Sequence, residues 1–289
     1  MTVDLYTLDA FTDTPGGGNP AGVVLEADNL GNADMQKIAA KAGFSETAFV
    51  KSSETADVKT RFFTPNSEVN LCGHATIATF SLLAQMKIIS AKSYIQETNA
   101  GLLPVEVSSD NSVFMRQNTP QFLGRVEKKE ISDSLNLQES CIDGNYPIQV
   151  VSTGLCDIMV PVRSLKQLMG IKPNFKKISD VCKEYGAAGC HVFSLETLHS
   201  STAHCRNFAP LYGIPEESAT GTSNGALACY LYKYGIAEGK SKLDMVFEQG
   251  YSMHRPSEIS ARLTVNGKEI LKVEVGGKAC NINKTKIDV

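Results

Sequence analysis

Two stretches of this chain carry no charged residue, and they restrict its folding more than any other feature. The first runs from Val69 to Met86 between Glu68 and Lys87, the second from Ser218 to Tyr232 between Glu217 and Lys233. A helix without a charged face is normally surrounded by protein on all sides. Each run is therefore expected to form a buried central helix, one for each of two domains, and 289 residues fit a two-domain prior. Neither run suits a bilayer, since the first alone holds Asn70, His74, Thr76, Thr79, Ser81 and Gln85.

The two runs are introduced alike. Arg61-Phe62-Phe63-Thr64-Pro65 and Glu68 precede the first, near whose start lies Cys72-Gly73-His74; Arg206-Asn207-Phe208-Ala209-Pro210 and Glu216 precede the second, near whose start lies Thr220-Gly221-Thr222. The shared pattern is R-x-F-x-P, a variable loop, then E-x-x-x-[CT]-G-[HT], with its two copies about half the chain apart. Internal repetition on this scale predicts two similar halves related by a pseudo-twofold.

Strand patterning fills the rest. Val3–Asp9, Gly22–Leu25, Thr47–Lys51, Lys59–Phe63, Ser93–Glu97, Leu102–Val107 and Val113–Gln117 read as strands in the first half. In the second half the strands are Ile148–Ser152, Asp157–Val160, His191–Ser194, Thr202–Phe208, Asp244–Glu248, Ala261–Val265 and Glu269–Val275. Ala33–Ala42 reads as a surface helix capped by Asn32 and stopped by Gly43, and Phe175–Tyr185 as a helix ending at Gly186. The polar segment Thr119–Asp143 is expected to cross between halves. The predicted class is α+β: two pseudo-symmetric halves, each a curled β-sheet or barrel around a central buried α-helix. Their bounds are 1–118, completed by 281–289, and 119–280.

Gly-rich helix starts expose backbone N–H groups at the positive end of the helix dipole. Gly73-His74-Ala75 and Gly221-Thr222-Ser223 are both such starts, and facing one another they would make a site for a small carboxylate. Tight strand-to-helix turns and ordinary Thr capping explain the same residues without a ligand. Glu46 alternates with Ala48 and Val50, which would set a carboxyl on an apolar strand face and raise its pKa toward that of a proton shuttle. A solvent-facing glutamate is the plainer alternative. His74 at the first helix start is either a hydrogen-bonded turn residue or a proton donor. Cys72, beside it, is either an inert thiol or one activated by the helix N-terminus.

Several classes are disfavoured. The net charge is −3 and there is no Trp, so nothing marks a nucleic-acid or anionic-membrane surface. The eight cysteines are scattered without C-x-x-C. No disulfide framework or zinc ribbon is expected, Cys190-His191 and His204-Cys205 lack ligand spacing, and a reducing, cytoplasmic compartment fits. The N-terminus lacks the basic start and apolar run of a signal peptide. Gly16-Gly17-Gly18-Asn19-Pro20 is not followed by Gly-Lys-Ser/Thr, and G-x-G-x-x-G, G-x-S-x-G and H-E-x-x-H are absent.

Taken together, the motifs resemble one family. Asp9-Ala10-Phe11, Gly18-Asn19-Pro20-Ala21-Gly22-Val23-Val24 and Ser45-Glu46-Thr47-Ala48-Phe49-Val50 resemble the opening of the phenazine-biosynthesis PhzF-like family. Arg61–Pro65 with Glu68 and Leu71-Cys72-Gly73-His74-Ala75-Thr76 is similar to its most specific block. Arg206–Pro210, Gly213–Glu217 and Ala219–Thr222 resemble its third. The resemblance implies a diaminopimelate-epimerase-like fold with the active site in the cleft between halves, and a homodimer without cofactor or metal. It also implies an isomerase that moves a proton within a small unsaturated carboxylic acid. Glu46 would be the acid/base residue, His74 and Glu217 would assist, and Asn19, Gly73, Gly221, Thr222 and Ser223 would bind substrate.

Three positions depart from the family pattern. Glu217 stands where Asp is common, Thr222 where Ser is common, and Ser218 where Pro is usual. These leave the substrate open. Related epimerases place a cysteine at each helix start, whereas here Thr220 occupies the second position, and Thr is no comparable acid or base at neutral pH. An amino-acid epimerase and a small-acid binding or interaction protein with a degenerate site remain the alternatives.

Overall fold

The computed structural model describes residues 2–238 and 241–288. Met1 and Val289, at the ends of the expected first half, lie outside the described residues, as do Gly239 and Lys240. The chain divides into two compact units: one holds the residues up to Arg116 and from Gly276 onward, the other is Gln117–Val275.

The first unit contains β1 (Thr2–Ala10), β2 (Asn19–Val24), α1 (Asn32–Ala42), β3 (Thr47–Lys51), β4 (Val58–Phe63), β5 (Glu68–Val69), α2 (Gly73–Gln85), β6 (Lys92–Thr98), β7 (Gly101–Val107) and β8 (Val113–Gln117). β1 runs antiparallel to β2, β2 parallel to β3, β3 antiparallel to β4, β4 parallel to β6, and β6 antiparallel to β7. The short β5 adds to β4. The uncharged helix α2 packs against β1, β2, β3 and β7, strands from opposite ends of that order. The sheet is thus wrapped around the helix. Two buried threonines of α2 are satisfied within it, Thr76 Oγ1 donating to the Cys72 carbonyl (2.8 Å) and Thr79 Oγ1 to Ala75 (2.7 Å). This is how a polar side chain is accommodated in a buried helix.

The second unit contains β9 (Gln121–Arg125), α3 (Lys128–Leu135), β10 (Gln149–Ser152), β11 (Cys156–Pro161), α4 (Leu165–Met169), α5 (Phe175–Glu184), β12 (Gly189–Ser194), β13 (Ala203–Ala209), β14 (Ile214–Glu217), α6 (Gly221–Lys233), β15 (Lys242–Gln249), β16 (Ser257–Asn266) and β17 (Glu269–Gly277). The same sequence of pairings recurs. β10–β11 is antiparallel, β11–β12 parallel, β12–β13 antiparallel, β13–β15 parallel and β15–β16 antiparallel, with the short β14 added to β13. The second uncharged helix, α6, packs against β10, β11 and β16. The chain then re-enters the first unit as β18 (Ala279–Asp288), antiparallel to β1.

The repeated motif also has a repeated role. Arg61 places Nε and Nη2 on Glu68 at 2.7 and 2.5 Å, and Arg206 does the same to Glu216 at 2.8 and 2.8 Å. Each guanidinium lies over the phenylalanine two residues on, Phe63 at 5.2 Å and Phe208 at 4.9 Å. Such forked pairs fix the strand to the turn that enters the central helix.

Three local expectations are corrected. Thr119–Asp143 is not a bare crossover but carries β9, α3 and a 3-10 turn at Glu139–Cys141, all in the second unit. Only one side of the eight-residue α3 is buried, through Ile131, Ser132, Ser134 and Leu135, so its sequence looks polar. The N-cap of α1 is Gly31 rather than Asn32, because Asn32 Oδ1 is taken by Arg61 Nη1 (2.6 Å). Glu46 precedes its strand instead of alternating within it: the parallel register starts at Gly22 opposite Thr47, and the Glu46 carbonyl accepts from Gly22 N–H.

Candidate active site

In the first unit, α1 ends at Gly43 in a left-handed conformation (φ +71°), and the turn through Ser45 and Glu46 follows. That turn delivers Glu46 to the start of α2, whose N-cap is Cys72. The first intrahelical bond runs from Thr76 N–H to the Cys72 carbonyl. The N–H groups of Gly73, His74 and Ala75 therefore have no partner within the helix and face outward from its positive end.

His74 is buried at the centre of this cluster. Its Nε2 lies 3.3 Å from Glu46 Oε2 and 3.3 Å from Ser45 Oγ. Its Nδ1 lies 3.4 Å from Asn19 Nδ2 and 3.5 Å from Cys72 Sγ. Glu46 is 18% exposed, so the site reaches solvent, yet its Oε2 is buried and lacks a hydrogen-bond donor. The 3.3 Å approach of His74 is close enough for ionic attraction without the direction of a hydrogen bond. A carboxylate oxygen so placed keeps a lone pair uncommitted, as a base requires. Asn19, Glu46, Gly73 and His74, all named from sequence, are brought together here. Ser45 was quoted only as a flank of Glu46, and its contact with the imidazole was not foreseen.

In the second unit the start of α6 is built differently. Ser223 is buried, and its hydroxyl donates to Asp157 Oδ2 at 2.7 Å while accepting from Asn207 Nδ2 at 3.1 Å. Asn207 Nδ2 also reaches His191 Nδ1 (3.2 Å), and His191 Nε2 meets Asn224 Oδ1 (3.3 Å). Asn224 Nδ2 donates to Gln249 Oε1 (2.8 Å), Gln249 Nε2 to the Glu217 carbonyl (2.8 Å), and Thr220 Oγ1 to Glu217 Oε2 (2.6 Å). A continuous hydrogen-bonded chain thus joins Asp157 to Glu217. The Ser223 hydroxyl is spent inside it, leaving the backbone N–H groups of Gly221, Thr222 and Ser223 as donors at this helix start.

Burial pushes the Asp157 carboxyl up to about 7, against the pull of the Ser223 hydrogen bond. Burial also pushes His191 down to about 4, against the hydrogen bond to Asn224. Both groups are therefore held toward their neutral forms. Sequence reading missed Asp157, although an acidic residue heading the apolar run Ile158–Val160 is the kind of buried polar group that signals a network. His191 and His204 gather no metal set with their neighbouring cysteines. The one group of three close ligand atoms among the described residues is Glu46, Cys72 and His74.

Comparison with known proteins agrees with this architecture. The family model for phenazine biosynthesis-like protein matches residues 8–285. An uncharacterized isomerase of Bacillus subtilis, YfhB, is 36% identical over 283 residues, covering 96% of this chain and 95% of the relative. The trans-2,3-dihydro-3-hydroxyanthranilate isomerase of Pseudomonas chlororaphis is 27% identical over 287 residues, 97% of each chain. The crystal structure of a PhzF-family phenazine biosynthesis protein from Bacillus anthracis superimposes with a TM-score of 0.93 at 35% identity, covering both chains completely. With the doubled motif, the two helix-centred sheets and these matches in hand, the chain belongs to the phenazine biosynthesis-like, PhzF family of isomerases.

Proposed function

We propose that this protein is a cofactor-independent isomerase that moves a proton within a small unsaturated carboxylic acid, with Glu46 as the acid/base group. The observation that carries the reading is the buried Glu46 Oε2, without a hydrogen-bond donor and 3.3 Å from His74 Nε2. One group serving as base and then as acid suffices for a proton shift. The N–H groups of Gly73–Ala75 supply an anion site beside it, and His74, supported by Asn19 and Ser45, orients or relays the proton. Anion binding by Gly221, Thr222 and Ser223 at the start of α6, with Glu217 held by Thr220, belongs to the same proposal. So do a homodimer, read out by light scattering on the eluted protein, and a cytoplasmic location, in keeping with eight unbridged cysteines.

The test is deuterium wash-in in D₂O, followed by mass spectrometry. The substrates are trans-2,3-dihydro-3-hydroxyanthranilate, on which the Pseudomonas relative is named to act, and a panel of unsaturated and amino acids. Label entering one acid should fall by about 10²- to 10⁴-fold in Glu46→Gln and persist in Cys72→Ala. Label that survives Glu46→Gln but is lost in Cys72→Ala would replace the reading with a thiol-dependent epimerase. Saturable binding of an acid without exchange would replace it with a binding protein.

A further inference from the structure

We propose that Gln249 is a positioning residue for the isomerase: it sets the turn Glu217–Thr220, and through that turn the Glu217 carboxylate and the backbone donors at the start of α6. Gln249 ends β15 and is fully buried. Its Oε1 accepts from Asn224 Nδ2 (2.8 Å) and from the Thr220 N–H (3.3 Å). Its Nε2 donates to the Glu217 carbonyl (2.8 Å) and to Thr220 Oγ1 (3.1 Å). Three of these four contacts fall on the two ends of one turn. The amide has one workable orientation. A flipped Gln249 would set its NH₂ against the Thr220 N–H and against Asn224 Nδ2, which is itself committed to the Thr220 carbonyl (2.9 Å). Because Thr220 Oγ1 accepts from Gln249, the single hydroxyl proton is left for Glu217 Oε2, 2.6 Å away.

The strand end that carries Gln249 is fixed in its turn. Glu248 points to the opposite face of the sheet. There it is buried and accepts from the N–H groups of Leu198 (2.8 Å) and His199 (2.6 Å), from His204 Nδ1 (2.7 Å) and from Ser201 Oγ (3.1 Å). β15 is paired on both sides at this point, with Cys205 of β13 and Ser257 of β16 opposite Gln249. Gly250 follows in a left-handed conformation (φ +82°), and a Cβ there would stand 2.6 Å from the Ser218 carbonyl oxygen. Glycine thus lets the strand end lie against the middle of the turn. The first unit shows that the scaffold alone does not require this cradle. Lys59 pairs with Glu97 as His204 pairs with Glu248, each two residues before the clamp arginine. The counterpart of Gln249 is therefore Thr98, whose hydroxyl is used within its own hairpin, donating to the Gly101 carbonyl (3.1 Å) and accepting from the Ala100 N–H (3.1 Å). α2 is wrapped by its sheet without a glutamine at that place, so the amide serves the turn at α6 and not the shared fold.

The consequence for turnover rests on the isomerase reading, and the first measurement needs no substrate. Gln249→Met keeps the length of the side chain and removes all four hydrogen bonds. The Asn224 N–H bonds to the Thr220 carbonyl (3.2 Å) and so reports on the turn without touching Gln249. In NMR-detected exchange of the full-length protein it should exchange about 10- to 100-fold faster in the variant, while Ala226–Leu231 of the same helix exchange as in wild type. The second measurement uses the acid that labels in D₂O. Gln249→Met should lower its kcat by about 10²-fold, Thr220→Val should lower it similarly, and the double variant should fall no further. Thr220→Ser, which keeps the hydroxyl, should recover most of the loss. If Gln249→Met does not fold, Gln249→Glu, which keeps the shape and the acceptor for Asn224, takes its place with the same expectations. The proposal is overturned by Asn224 exchange that is unchanged or that rises only with the whole of α6. Losses that multiply in the double variant overturn it as well. Local acceleration with no acid labelled refutes the isomerase reading alone, and a labelled acid turned over at the wild-type kcat by the Gln249 variant refutes this inference alone.

Discussion

Asp157 and His191 lie in one buried network, and their titrations oppose one another. Asp157 holds its proton up to about 7 in the folded protein against 3.8 for an ordinary aspartate. Between those values the unfolded chain is ionised and the folded one is not, so the folded state loses stability as pH rises. At 1.36 kcal/mol per pKa unit the whole shift is worth about 4 kcal/mol. His191 behaves in the reverse sense. It stays neutral down to about 4 against an ordinary 6.5, so the unfolded chain gains a proton first and stability is lost as pH falls, by about 3 kcal/mol in all. Between pH 4 and 6.5 each contributes about 3 kcal/mol with opposite sign, and the wild type should show almost no net slope from the pair. Asp157→Asn, which keeps an acceptor for Ser223, removes the falling contribution. Relative to wild type, its stability should rise by about 3 kcal/mol over that interval. His191→Gln should unmask the opposite slope, falling by about 4 kcal/mol from pH 4 to pH 7. Urea unfolding at half-unit pH steps measures both, and the shared background of surface carboxylates cancels in the differences. Curves for Asp157→Asn and wild type that stay parallel from pH 4 to 7 would refute the claim that this carboxyl retains its proton.

The duplicated clamp supplies a second test. Glu216→Ala leaves Arg206, whose side chain is 6% exposed, held only by the Leu168 and Ile171 carbonyls with its carboxylate partner gone, and should cost about 3 kcal/mol in urea unfolding. Glu68→Ala releases Arg61, which is 16% exposed beside a glutamate at 25%, and should cost about 1 kcal/mol; equal costs would show that burial does not set the strength of the clamp. Gly73→Ala should leave stability within about 1 kcal/mol of wild type, because an added Cβ meets only Met115 Sδ at an ordinary 3.6 Å. Its effect should appear as weaker binding of the acid that labels in the exchange assay. Loss of folding instead would mean that the glycine serves the turn rather than the ligand.

What the sequence revealed depended on whether one side chain carried one meaning. The uncharged runs had a single physical solution, a helix enclosed by its own sheet, and α2 and α6 are both of that kind. The doubled R-x-F-x-P…E motif was legible because the guanidinium, the ring and the carboxylate are each needed in both units. Asn32 misled because its carbonyl could cap a helix or accept from an arginine 29 residues away, and only tertiary structure chooses. α3 was hidden because two buried apolar side chains, Ile131 and Leu135, in eight residues leave almost no periodic signal. Glu46 was found as a residue but misplaced in its setting, since a period of two carries no information about where a parallel register begins. Asp157 was missed because its role is created by Ser223, 66 residues further along the chain.

The two helix starts show how duplication can separate duties within one frame. The pairings of the strands, the short added strand and the arginine–glutamate clamp are the same in each unit, so the backbone donors at both helix starts follow from the shared scaffold. The side chains around them have diverged in one respect. At α6 the polar groups are tied to one another: Ser223 to Asp157, Asn224 to Gln249, and Thr220 to Glu217. A side chain that moved would break at least one buried hydrogen bond, costing about 1–3 kcal/mol, so this start is suited to holding a ligand still. At α2 the approaches of His74 to its neighbours are longer, 3.3–3.5 Å, and Glu46 keeps an oxygen without a donor. Groups that are close but not committed can exchange a proton without first breaking a strong bond. On this argument, giving Glu46 a permanent donor should cost more activity than any equal change in the α6 network. Replacing Ala48, whose Cβ sits buried in the strand Glu46 leads into, would test packing instead, so Ser45→Asn is the sharper probe. An amide that reaches the Glu46 oxygen should slow deuterium exchange while leaving the urea midpoint unchanged, and full activity in that variant would show that an uncommitted oxygen is not what this site requires.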